Sequence, residues 1–326
     1  MAKLLTIAIP TYNRALKLEK QLAWLDRNIV GVEHQCEVVI SDNASTDITP
    51  AVCRRWQAKL SERGVECRIN RNEQNLGPLP NIACCIELST SRFSWVIGDD
   101  DEIPEEKLVW VIARLEADPD LASIVLNFEG VGKSVYERCF HHPADLIGEG
   151  QAVMGECLKQ AYFGLAFMTA QIYRTEYAQA ALRAWPEGTS NYDYQVFLTA
   201  YAGLQGKVLA TSDTHCKYVT GDNVYEKNKR VGLMLYADSL QVFLKLSRFG
   251  YAPSLCRQVA LRHLWQLKRR FITNALQCSP LLTVRTIART LTYLVQLGGS
   301  AGATVPSESH ALATETGSLP ATQIAH

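Results

Sequence analysis

The chain has 326 residues, 47% of them hydrophobic and 20% charged, which suffices to bury the core of one large α/β domain plus an appendage. Lys+Arg and Asp+Glu balance at 33 each, and the chain lacks the basic–aromatic interleaving of a nucleic-acid module, so no nucleic-acid partner is expected. The ten cysteines form no CxxC pair, no charged and apolar leader precedes the first apolar run, and no stretch holds the 18 or so apolar residues of a membrane span. The expectation is a cytoplasmic protein without disulfides or zinc.

The run 4–9 is short, apolar and β-branched, and Pro10 ends it, so it reads as a buried strand. Residues 14–28 then carry Leu18, Leu22 and Leu25 at helical spacing. The pattern repeats: strands at 36–40, 66–69, 93–97 and 122–128, and helices from Asp47 to about 60, at 79–88 and from Pro104 to 115. Such β–α alternation predicts a mostly parallel, Rossmann-like sheet flanked by helices, with ligands beyond the carboxyl ends of the strands. The middle third reads as a strand at 166–173, a helix at 191–201 and a strand at 207–210. Helices alone are expected at 233–246, 255–276 and 281–297. Residues 298–326 are rich in small and polar residues and are expected to be disordered. The expected division is 1–232, 233–297 and 298–326.

Chemistry-bearing residues follow the strands. Pro10-Thr11-Tyr12-Asn13-Arg14 comes after the first, and Asp42 opens a small polar segment after the second. A carboxylate there suits a nucleoside, and equally a turn or cap. A loop with Asn75 and Gly77 follows the third strand, and Gly98-Asp99-Asp100-Asp101-Glu102 the fourth. Four successive acids repel one another; at the end of a buried strand they suit Mg²⁺ or Mn²⁺ bridging to phosphate oxygens.

Taken in order, IPTYNR at 9–14, SDNASTD at 41–47, NEQNLG at 72–77 and the acids at 99–101 resemble family 2 glycosyltransferases of the GT-A fold. The form GDDDE and the basic helical end are similar to the branch that attaches deoxyhexoses in bacterial surface polysaccharides, abequosyltransferases among them. The resemblance implies an inverting transfer of a hexose or deoxyhexose from a nucleoside-diphosphate sugar to a saccharide or a polyprenyl-diphosphate-linked saccharide. It implies that Pro10, Thr11, Tyr12 and Arg14 line the nucleotide, that Asp42 and Asn43 meet the base, and that Asn75 and Gly77 floor the nucleoside. Asp99 and Asp100 would face the donor, with Asp101 and Asp99 on the metal and His215 a further metal candidate. Asn43 stands where the family often has Asp. The base is expected about 90 residues beyond the acids, where Asp193 is the carboxylate; a first-turn acid favoured by the helix dipole is its plainer reading.

Between Asp238 and Glu308 there is no acidic residue, while nine Lys or Arg occur. This basic end, 255–290 above all, is expected either to pack on the domain or to lie on the anionic inner face of the cell membrane. Two other functions stay open from sequence: a sugar-phosphate nucleotidyltransferase, and a non-catalytic nucleotide-sugar-binding protein.

Overall fold

The structure is a computed structural model that describes residues 3–132, 135–220 and 228–299. Its centre is a sheet of strands β1 (Leu5–Thr11), β2 (Cys36–Asp42), β3 (Glu66–Arg71), β4 (Phe93–Val96), β5 (Leu121–Gly132), β6 (Leu146–Glu149), β7 (Gln171–Arg174) and β8 (Lys207–Thr220). The strand order is β3-β2-β1-β4-β7-β5-β8-β6. Helices α1 (Ala15–Asn28), α2 (Thr49–Glu62), α3 (Pro78–Glu87) and α4 (Lys107–Ala117) link the first five strands, as the apolar alternation predicts. They cover both faces, which is why every residue of β2 and β4 is buried.

The first four strands run parallel, and their register sets the site. Thr11 pairs with Asp42 and Asp42 with Arg71, so three side-chain-bearing strand ends lie level at one edge. Trp95 on β4 is fully buried, and its indole N–H donates to the Thr169 carbonyl at 2.8 Å.

The structure corrects the sequence reading in two places and supplies the strand order, on which the sequence is silent. The fifth strand does not lie next to the fourth: β7 enters between them, antiparallel to both, with Phe93 opposite Arg174 and Ser123 opposite Tyr173. Apolar periodicity reports burial and is silent on which strand becomes a neighbour. The fourth helix begins at Lys107, not Pro104, because Glu106 has φ +67, a left-handed conformation that cannot continue a helix. Asn28 at the end of α1 fixes that bend by accepting from the Glu106 N–H at 2.8 Å. The strand expected at 207–210 continues to Thr220, pairing with β5 through register shifts.

Helices α5 (Gly150–Ala161), α6 (Thr175–Ala184) and α7 (Tyr194–Gly203) complete the sheet domain. Beyond it come α8 (Lys229–Arg248), α9 (Pro253–Gln277) and α10 (Pro280–Gly299). Leu240, Phe243, Val259 and Leu297 join the same buried cluster as Leu5 and Trp95. The division expected at 232 thus falls in the first turn of α8, a helix that shares the core of the sheet. The tail expected to be disordered lies outside the described residues from position 300 onward. All ten cysteines are free and eight are buried, as small core hydrophobes are.

Candidate active site

The strand ends assemble around the acids that follow β4. Arg14, at the start of α1, donates from Nη1 to Asp99 Oδ1 at 2.9 Å and to Asp100 Oδ2 at 3.2 Å. Lys17, one turn further along α1, reaches Asp100 Oδ2 at 2.5 Å. Thr11 donates its hydroxyl to Asp99 Oδ2 at 2.8 Å. Burial pushes the Asp99 carboxyl above the ordinary range, and Arg14 and Thr11 pull against that rise.

Asp101 is held differently. Its carboxylate folds back onto the strand end, accepting from the Gly98 N–H at 3.2 Å and from the Thr169 hydroxyl. A Cβ at position 98 would collide with that carboxylate, so the glycine is what admits it. Burial pushes the Asp101 carboxyl up to about 7, the Thr169 bond pulls it down, and the charges of Asp100 and Asp99 add to the rise. Asp99 therefore has a resident cation beside it, while Asp101 is a carboxylate whose charge a bound cation would stabilise.

Arg14, Asp99, Asp100 and Asp101 line a cavity of about 680 Å³, together with Lys17, Tyr192, Gln195 and Tyr218. That is the volume of a small-molecule site. Pro10, Thr11, Tyr12, Asp42, Asn43, Asn75 and Gly77 are not in its lining. They build the adjoining loops, to which Thr11 connects the cavity through Asp99. Asp42 is buried, with one carboxylate oxygen paired to Arg71 and the other accepting from the Ser45 N–H at 3.0 Å. Asn43 ties the third loop: it donates to Asn75 Oδ1 at 2.8 Å and to the Gly77 carbonyl at 3.1 Å, and accepts from Asn72 and the Leu76 N–H. Gly77 has φ +89, so a larger residue would be strained there.

Two residues singled out from the sequence lie apart from the cavity. His215 is buried on β8 with its ring 4.2 Å from that of Trp110, and burial lowers its pKa to about 4. Its ring packs against α4 and is not in the cavity lining. Asp193 precedes α7 and is buried, accepting from the Ser239 hydroxyl of α8. Burial pushes its carboxyl up to about 7 against the Ser239 bond, and Asp238 adds to the rise. Its neighbours Tyr192 and Gln195, rather than Asp193 itself, face the cavity. Sequence reasoning missed Lys17, Arg71, Thr169 and Tyr192. Helical spacing from Arg14 could have found Lys17; the others depend on strand register and chain crossing.

Among the described residues no group of three or more His, Cys, Asp or Glu side chains is arranged to hold a metal.

Residues 6–165 match the model of glycosyl transferase family 2. That segment, which carries the strand-end residues described above, belongs to this family. Among curated proteins, the chain is 31% identical over 118 residues to abequosyltransferase RfbV of Salmonella typhimurium, covering 36% of this chain and 34% of the relative. The chain therefore spans about a third of that relative's length. Among solved structures it is similar to TarS of S. aureus in complex with UDP-GlcNAc, with TM-score 0.61, 14% identity and 91% of each chain covered. It is also similar to the mannosyltransferase PcManGT of Pyrobaculum calidifontis in complex with GDP-Man and Mn²⁺, with TM-score 0.56, 17% identity and coverage of 92% and 87%. At these identities the likeness speaks for the fold, which is GT-A.

Proposed function

We propose that this chain is an inverting glycosyltransferase that moves a hexose or deoxyhexose from a nucleoside-diphosphate sugar to a saccharide acceptor in surface-polysaccharide synthesis. The observation that supports it best is the cavity in which Arg14 and Lys17 meet Asp99, Asp100 and Asp101 at the carboxyl end of β4. Similarity to an abequosyltransferase over 118 residues favours a deoxyhexose donor.

In this reading Asp101, with Asp99, holds Mg²⁺ or Mn²⁺. The donor set fits: hard carboxylate oxygens, one of them on a residue that burial and like charge leave in need of a cation. Bound there, the metal supplies charge that stabilises the diphosphate leaving group. Arg14 fixes Asp99 and Asp100, so the acids are oriented before the donor arrives and the reaction need not reorganise them. Pro10, Tyr12, Asp42, Asn43, Asn75 and Gly77 shape the nucleoside side of the site from the loops. Contact of Asp42 with a base requires that its pair with Arg71 open. The acceptor lies against Tyr192 and Gln195. Asp193, with a carboxyl near 7, has the pKa of a general base at neutral pH, and takes the acceptor proton only if its bond to Ser239 opens.

A panel of UDP-, GDP-, CDP- and dTDP-sugars with Mg²⁺ or Mn²⁺ tests the reading. Release of free nucleoside diphosphate supports transfer, pyrophosphate supports a nucleotidyltransferase, and tight binding without turnover supports a sugar-nucleotide-binding protein.

The C-terminal helices favour a lipid-linked acceptor at the membrane surface. Trp265, Leu276, Leu281, Val284, Leu291 and Val295 are exposed. With the exposed Ile287, the α10 members recur at three- and four-residue spacing, so they share a face. Lys268, Arg269, Arg270 and Arg285 are exposed beside them. Such a surface suits anionic headgroups over acyl chains. Among the described residues no helix is long and apolar enough to cross a membrane, so the expected attachment is peripheral, on the cytoplasmic face.

A further inference from the structure

The segment before α7 that contributes Tyr192 to the cavity is gripped from outside the region matched by the family model. Asn191 is buried and donates to the Asp238 carbonyl at 3.1 Å and to Gln241 Oε1 at 3.0 Å, both on α8. The Tyr192 N–H donates to Asp238 Oδ2 at 3.3 Å. Asp193 accepts from Ser239, also on α8, and its own N–H donates back to Asn191 Oδ1 at 2.9 Å. Three successive residues, of which Tyr192 lines the cavity, are thus bonded to α8. Asp238 is in turn pinned by α10, whose Arg289 Nη2 lies 3.1 Å from Asp238 Oδ1. Asp238 is 2% exposed and Arg289 40%, so the guanidinium joins a buried carboxylate to the surface.

A buried carboxylate that loses its cation leaves an uncompensated charge, and the groups it holds must move to rehydrate it. The groups held here are the Tyr192 backbone and, through the adjacent Ser239, Asp193. We propose that Arg289 and Asp238 are positioning residues for the acceptor side of the cavity: the α10–α8 ion pair sets where Tyr192 and Gln195 stand, making the C-terminal helices part of the transfer site. The proposal rests on the glycosyltransferase reading for the word acceptor, and on geometry alone for the coupling.

The test uses the full chain with Arg289→Met, Arg289→Lys and Asp238→Asn. Hydrogen–deuterium exchange over 188–198 should rise about tenfold in Arg289→Met, as local opening becomes easier, while exchange in β1 to β4 stays as in wild type. Arg289→Lys should restore most of the protection. Affinity for UDP and GDP should be unchanged, since none of the residues lining the cavity lies on α10. In the transfer assay, acceptor KM should rise roughly tenfold, as misplaced positioning groups demand, with donor KM unchanged. Unaltered exchange over 188–198 in Arg289→Met would overturn the coupling, and so would equal loss of UDP or GDP affinity. Loosened exchange with normal acceptor KM would overturn the positioning role. Wild type that binds no nucleoside diphosphate would instead strike the glycosyltransferase reading and leave the exchange result to decide the coupling.

Discussion

Asp99 and Asp101 stand two residues apart in one acidic run, yet their surroundings differ: Arg14 and Thr11 hold the first, Gly98 and Thr169 the second. Asp101→Asn should therefore lower transfer by roughly 10²-fold or more, the scale of losing a group that stabilises developing charge. Mn²⁺-dependent binding of nucleoside diphosphate should weaken while the fold is kept; full turnover in EDTA would remove the metal from the proposal. Asp193 permits a test by both rate and stability. If it is the base, Asp193→Asn should lower the chemical rate by roughly 10² to 10⁴ with donor affinity unchanged. Its folded carboxyl, near 7, lies above that of an unfolded aspartate, at about 3.9. The folded state thus holds a proton that the unfolded state releases. That contribution to stability is present in full below about pH 4 and is lost as pH rises through 7, at up to ~1.4 kcal/mol per pH unit. Asn cannot titrate, so in denaturation from pH 4 to 8 the substituted protein should gain on wild type as pH rises. Parallel stability curves would show that Asp193 is not held protonated.

At the scale of elements, the loops after β1, β2 and β4 were legible because a polar or acidic cluster directly follows a buried apolar run, a pattern with physical meaning in a parallel sheet. Neighbour order was not legible, because β5 and β7 are both largely buried and only their pairing decides which lies beside β4. The edge strand β6 has four residues with alternating partial exposure, too short to register as a period. The helix α6 buries Thr175, Ala178, Ala181 and Leu182, mostly small side chains that give a weak apolar stripe. The direction of Asp193 was hidden because its partner Ser239 lies 46 residues away on another helix. Asn43 is a departure from the family pattern that the structure explains: its amide donates to Asn75 and Gly77, which a carboxylate cannot do. Asn43→Asp, although it restores the family residue, should destabilise by about 1–3 kcal/mol, the cost of leaving buried groups unpaired. Urea denaturation checks this, and a neutral or stabilised variant would show that the third loop does not depend on the amide.

Across the whole molecule, α8 joins the sheet's core while α9 and α10 keep an apolar and basic surface outward, so one helical region faces two ways. The inward side positions the cavity wall through Asp238 and Ser239; the outward side is where a lipid-linked acceptor would be met. Lys268 lies with its ammonium 3.0 Å from the Trp265 ring centroid, so the cation and the 70%-exposed indole act as one feature of that surface. Neutralising Lys268, Arg269 and Arg270 removes three charges, each contributing about 1 kcal/mol near an anionic bilayer. Binding to phosphatidylglycerol-containing vesicles should then fall steeply at low salt, and the gap from wild type should close at high salt, where the Debye length shrinks to ~3 Å. Trp265→Ala should weaken binding by an amount that salt does not change, since its contribution is burial of apolar surface. Turnover on a soluble acceptor analogue should survive all of these changes, and turnover on a lipid-linked acceptor should drop in proportion to vesicle binding. A wild type that ignores anionic vesicles at low salt would remove the membrane from the proposal and leave the cavity at β4 as it stands, because none of its lining residues lies on α9 or α10.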